Sequence, residues 1–197
     1  EYQYIDFGNS SNLSLNFNKK FKRIPLALGF SSNNSISYNK TISNNIKNNN
    51  RFNQNNIDLN VKSYFKNKPN FDLGIIYLSN FNQFETQATT NKNVLQTYNP
   101  YIKLEGTLFN KKINWKINST YNILNSSYFA TQNVFDLSTR VQYTTNKKIS
   151  IYFNANNLLN IRENNFKNNF MQTDILIQET IMNTLSGVAN FGINYSF

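Results

Sequence analysis

The sequence predicts an all-β fold: an antiparallel up-and-down transmembrane β-barrel, with about nine to ten strands present as part of a larger barrel. Three observations predict it. Apolar residues recur at every second position, the connections alternate between short and long, and aromatic residues collect at the strand ends.

Composition narrows the field first. The chain has 197 residues, 15% aromatic and 15% charged, with a mean hydropathy of −0.56. Asn is the commonest residue, yet aromatic and β-branched residues are too plentiful for a disordered chain. An Asn-rich prion-like tract would lack regular alternation. There is no Cys and no His, which removes thiolate chemistry, disulfides, the commonest general base and the commonest metal ligand. No run reaches the ~18 apolar residues of a membrane-spanning helix, and the segment Glu1-Tyr2-Gln3-Tyr4 does not resemble a signal peptide.

Alternation appears element by element. Leu13, Leu15 and Phe17 oppose Ser14, Asn16 and Asn18, and residues 2–7 read as the end of a further strand. Residues 25–43 form a noisier strand, apolar at Leu26, Leu28 and Phe30. Ile57, Leu59, Val61 and Phe65 oppose Asp58, Asn60, Lys62 and Tyr64. Phe71, Leu73, Ile75 and Tyr77 oppose Asp72 and Gly74, blurred by Ile76 and Leu78. Tyr98, Pro100, Ile102, Leu104 and Gly106 oppose Asn99, Tyr101, Lys103 and Glu105. Ile113, Trp115, Ile117, Tyr121 and Ile123 oppose Asn114, Lys116, Asn118 and Asn122. Phe135, Leu137, Val141 and Tyr143 oppose Asp136, Ser138, Arg140 and Gln142. Ile149, Ile151, Phe153 and Ala155 precede a last strand with Ala189, Phe191, Ile193, Tyr195 and Phe197 on one parity. A soluble β-sandwich also alternates, but strands of roughly 10–15 residues exceed its usual length and suit a tilted bilayer crossing.

Short turns are expected near residues 19–24, 66–70, 109–112 and 144–148, and long polar connections near 44–55, 80–93, 124–132 and 160–186. Outer-membrane barrels have short periplasmic turns and longer extracellular loops. Much of the +10 net charge falls in the short turns, at Lys19, Lys20, Lys22, Arg23, Lys66, Lys68, Lys111, Lys112, Lys147 and Lys148. Spread along one rim, these cations form no groove with stacking aromatics, so no nucleic-acid partner is expected.

The alternation also assigns faces. An aromatic girdle is predicted from Phe65, Phe71, Trp115 and Tyr143 near the short turns, and from Tyr98 and Tyr121 towards the loops. Asp58, Lys62, Asp72, Lys103, Glu105, Lys116, Asp136 and Arg140 take the lumen-facing parity, where a structural ladder of ion pairs is expected. No Ser–His or paired-carboxylate constellation can be assembled, so no catalytic, metal or cofactor site is expected.

The ending Gly187-Val188-Ala189-Asn190-Phe191-Gly192-Ile193-Asn194-Tyr195-Ser196-Phe197 resembles the C-terminal signal of outer-membrane barrels, read by the barrel assembly machinery through pairing with the last strand. The preceding strand ends in Asn157-Leu158-Leu159-Asn160, similar to the "NLFN-like" motif of TonB-dependent outer-membrane receptors, with Leu159 in the aromatic position. Where that family often has a Pro-Gly-Arg-like approach to its final strand, this chain has Leu185-Ser186-Gly187. The resemblance implies a bacterial outer-membrane protein that imports a scarce nutrient such as a metal chelate, glycan or peptide. It further implies TonB as the driving partner and an N-terminal plug, of which residues 1–197 hold no part. The whole chain then reads as the C-terminal portion of a barrel of about 22 strands, embedded in outer-membrane lipid. The competing readings are a passive, structural or adhesive barrel without TonB coupling and, less well supported, a soluble all-β binding module.

Overall fold

The computed structural model describes residues 3–43, 46–66, 68–86, 89–127, 130–145, 149–158, 164–172, 177–184 and 187–195. Eleven strands follow in order: β1 Gln3–Lys20, β2 Leu26–Ser43, β3 Ile46–Ser63, β4 Asn70–Glu85, β5 Thr90–Leu108, β6 Ile113–Ser126, β7 Gln132–Thr144, β8 Ile149–Asn156, β9 Asn164–Gln172, β10 Ile177–Thr184 and β11 Val188–Tyr195. Nine of them form a single antiparallel sheet in the order β1-β2-β3-β4-β5-β6-β7-β8-β11, while β9 and β10 pair only with each other. No helix occurs among the described residues. The sheet is all-β and up-and-down, as expected, but it is open, with β1 and β11 at its two edges.

Three expectations about the connections are corrected. Much of the stretch expected as a long connection at residues 44–55 is strand: Asn48 to Asn55 pair with β2 on one side, and Asn49 onwards with β4 on the other. Residues 80–93 likewise belong largely to β4 and β5, joined by a turn in which Thr86 N donates to Thr89 O at 2.8 Å. The physical reason is solvation. Where both faces of a ladder lie in water, neither parity needs to be apolar, so the period-two signal vanishes while backbone pairing continues. The last connection holds the β9–β10 hairpin instead of a plain loop. Residues 3–7 are not part of a separate strand; they continue β1, across a bulge between Ile5 and Phe7.

Turn chemistry closes the short-turn end. Asn70 accepts from Phe65 N at 2.6 Å through Oδ1, and Ser63 Oγ accepts from Phe71 N at 2.7 Å, so two side chains replace ladder bonds. Tyr64 N donates to Pro25 O at 2.8 Å, tying the β1–β2 turn to the end of β3. Between β5 and β6, Lys112 N donates to Phe109 O at 3.1 Å around Asn110 and Lys111, whose φ values of 53° and 68° make a type I′ turn. Pro100, lacking an N–H, interrupts the ladder to β6, yet Tyr98↔Ile123 and Tyr101↔Thr120 keep one register across it.

Burial is inverted relative to a water-soluble domain. Contacts between elements concentrate on the ladders, without a second layer against the sheet among the described residues. Large hydrophobic side chains stand exposed along one face: Phe17, Leu59, Ile75 and Ile102, with Phe191 reaching 70%. Register joins them into cross-strand rows, such as Phe17–Phe30–Leu59–Ile75 and Gly106–Trp115–Val141–Phe153–Phe191. The larger buried side chains, Tyr101 (7% exposed) and Leu124 (2%), lie on the opposite, polar face. On the apolar face only small residues are buried, Ser32, Ser63 and Ala155, shaded by longer neighbours. Soluble monomers rarely expose contiguous apolar patches beyond a few hundred Å²; here the patch crosses the whole sheet.

Candidate functional site

The polar face carries the charged residues singled out from the sequence. Register sets Lys62, Asp72 and Lys103 in one row, and Glu105, Lys116 and Arg140 in another. Asp58 and Asp136 lie on the same face, opposite Ile76 and Thr120. The ladder of ion pairs reduces to one among the described residues, Lys62 Nζ to Asp72 Oδ2 at 3.5 Å. Lys116 stands directly opposite Arg140, a like-charge pair.

Tyr101 is the organising side chain of this face, and sequence reasoning treated it as one polar-parity residue among many. It lies across Gly74, where an added Cβ would come within 2.6 Å of its ring. A glycine opposite an aromatic on a neighbouring strand was the signal that could have found it. From there the Tyr101 hydroxyl reaches Asp58 and Asp72, each at 3.5 Å, and Lys103 Nζ sits 4.5 Å from its ring centroid. The result is a compact polar knot of two carboxylates, two ammonium groups and a phenol. Buried side-chain oxygens of Asn80, Asn82, Asn99, Asn118 and Asp136 make no hydrogen bond within the protein. Such acceptors are normally satisfied by water.

The aromatic residues lie at two levels of the apolar face. Near the short turns Phe65 and Phe71 have ring centroids 6.4 Å apart, and Trp115 and Tyr143 follow at the same end of β6 and β7. Towards the other end Tyr77 and Tyr98 stack at 4.9 Å, and Tyr121 and Phe135 at 6.4 Å. Beyond Tyr77 and Tyr98 the same face turns polar within one row, Asn34–Asn55–Ser79–Gln96–Asn125. The next row is mixed, Ile36–Asn53–Phe81–Val94, and the one after it reads Tyr38–Arg51–Gln83–Lys92. At ~3.4 Å per residue, the six to eight residues between the two levels span about 20–27 Å along a strand. An apolar belt thus lies between two aromatic levels, and the strands continue past one of them in rows of polar and mixed residues.

Asn157, in the motif after β8, adopts φ 52°, a left-handed conformation that Asn tolerates well, while Leu158 N still donates to Leu137 O at 3.0 Å. Gly187 approaches that bend so closely that an added Cβ would lie 2.7 Å from Asn157 O. The bend and the start of β11 therefore pack backbone to backbone. Phe191, Ile193 and Tyr195 sit on the apolar face of β11, opposite Phe153, Ile151 and Ile149. Leu159, Asn160 and Phe197, together with Lys147 and Lys148, lie outside the described residues. The described residues include no group of three or more carboxylates able to hold a metal ion.

No protein-family model and no curated protein sequence matches the chain. Among solved structures the chain is similar to BauA, the ferric preacinetobactin receptor from Acinetobacter baumannii, with a TM-score of 0.64 at 10% identity. The likeness covers 96% of this chain and 35% of that receptor, so the chain spans about a third of the receptor's length. At that identity the likeness concerns the fold alone.

Proposed function

We propose that this chain forms part of the wall of a TonB-dependent importer in a bacterial outer membrane, the remaining strands and a plug being supplied by the rest of the same polypeptide. The observation that carries the reading is the inverted burial: an apolar face exposed across nine strands and carrying two levels of aromatics, backed by a polar face. Lipid tolerates the first and cannot solvate the second, so the apolar belt faces acyl chains and the charged face lines a lumen. The open edges of β1 and β11 would be unsatisfied in lipid, which requires further strands to close the barrel. β11 carries the signal by which the barrel assembly machinery inserts the protein. The importer reading in particular is supported by the motif ending at Asn160 and by the likeness to a ferric-chelate receptor. The proposed role is non-catalytic: polar strand extensions and the β9–β10 hairpin stand on the outer side, where a nutrient is captured.

Uptake by the intact protein tests this. Cells carrying the gene accumulate a labelled ferric chelate or other scarce nutrient only while TonB is present. Accumulation that persists without TonB would make the protein a passive pore. Recovery in the soluble fraction without detergent would remove the membrane reading altogether.

A further inference from the structure

Between the polar face and the short turns lies a cavity of about 370 Å³ that is open to solvent, its charged lining residues all exposed. Five cationic side chains line it, Lys66, Lys68, Lys111, Lys116 and Arg140, against one carboxylate, Glu105. We propose that this cavity is a binding site for a compact, multiply charged anion of the phosphate class.

Two strands away on the same face, Lys62 and Asp72 stand directly opposite each other and close an ion pair at 3.5 Å. In the cavity the register does the reverse. Lys116 faces Arg140 across β6 and β7, a placement in which the two cations repel. Glu105 is next to Lys116 in the same row, yet none of the three makes an ion pair. The turns then bring three more lysines to the same opening: Lys66 and Lys68 from the β3–β4 connection and Lys111 from the β5–β6 turn. A chain that can pair charges across this face instead gathers five cations around one acid.

Size and charge select the ligand class. The volume is at the lower end of the ~300–1,000 Å³ typical of ligand sites. Near neutral pH a phosphate group carries close to two charges and three strong acceptor oxygens. A diphosphate or triphosphate therefore balances the local excess, which a lone carboxylate does not. Arg140 offers planar, paired donors to such oxygens, while the lysines act as point charges. The phosphate can belong to a soluble solute or to an anionic lipid headgroup, because Phe65 and Trp115, at the border of the apolar belt, also line the cavity.

The experiment is calorimetric titration of the intact protein in detergent, in phosphate-free buffer, with inorganic tripolyphosphate and with citrate as the carboxylate control. A second arm measures binding to vesicles of phosphatidylcholine with and without phosphatidylglycerol. The expected result is binding of tripolyphosphate at least tenfold tighter than citrate, or of phosphatidylglycerol vesicles over phosphatidylcholine alone. The first identifies a soluble source and the second a headgroup. Lys116→Gln and Arg140→Lys each lower that affinity at least tenfold, while Lys62→Gln, on the same face but outside the cavity, leaves it unchanged. Melting temperature supplies a readout for folding: Lys116→Gln melts at or above the unsubstituted protein without ligand, but gains less from tripolyphosphate. Equal binding by wild type and Lys116→Gln, equal loss in Lys62→Gln, or no binding in either arm overturns the proposal. Because the test reads binding and not transport, failure of the import reading leaves it intact.

Discussion

Trp115 and Gly106 offer a quantitative test of the register across β5 and β6. They are directly opposed, and the indole lies over the glycine on the apolar face. A Cβ added at Gly106 would stand 2.8 Å from Trp115 Cζ2, 2.9 Å from Cε2 and 3.0 Å from Nε1, all atoms of the indole. Gly106→Ala must therefore push the indole aside, an overpacking cost of about 1–3 kcal/mol. Against it stands about 0.5–1 kcal/mol gained by removing glycine's freedom from the unfolded chain. The net expectation is destabilisation of about 0.5–2 kcal/mol with Trp115 in place. In a Trp115→Ala background only the favourable term remains, and the same substitution stabilises by about 0.5–1 kcal/mol. The coupling between the two sites is then about 1–3 kcal/mol, well above the ~0.5 kcal/mol scatter of independent positions. Urea unfolding of the intact protein in phospholipid vesicles, followed by circular dichroism, measures all four corners of the cycle. Equal effects of Gly106→Ala in both backgrounds would refute the packing of the indole on Gly106, and with it this register.

Two further outcomes follow from the same geometry. Lys111→Gly places the preferred Asn-Gly pair in the type I′ turn and removes a side chain held at φ 68°, so it raises stability by about 1 kcal/mol in the same urea titration; a loss of stability would argue against that turn. Leu59→Arg, on the exposed apolar face of β3, costs about 2–4 kcal/mol in a bilayer if it lies near the midplane. An arginine tolerated there without cost would place that face in water.

The sequence by itself determined which residues share a face. Alternation is a local property: once a segment is extended, neighbouring side chains must point to opposite sides, whatever the strand pairs with. Leu59 and Asp58, Trp115 and Lys116, Val141 and Arg140 were separable on that ground alone. The aromatic levels were legible for the same reason, since Tyr77, Tyr98 and Phe135 each end an apolar run and Tyr121 lies one position of the same parity short of the end of its own. Strand ends were not legible. Past the row of Asn55 and Ser79 apolar residues fall on both faces, Phe81 on one and Phe52 and Phe84 on the other, among many Asn and Gln, so the pattern falls silent although the β3–β4 pairing runs on to Asn49 and Glu85.

Only the tertiary structure decided which side chains meet, because register is set between strands and not within one. Pairing laid Tyr101 over Gly74 and within reach of Asp58 and Asp72, residues that lie far from it in sequence. It gave Lys62 a partner in Asp72 but set Lys116 against Arg140, although an alternating pattern describes all four equally well. It also carried β11 past the β9–β10 hairpin to lie beside β8. A slip of one residue between strands would exchange the two faces, and the apolar belt forbids that. A slip of two keeps the faces and changes every partner, so here the choice rests with the turns and with fits such as Trp115 on Gly106.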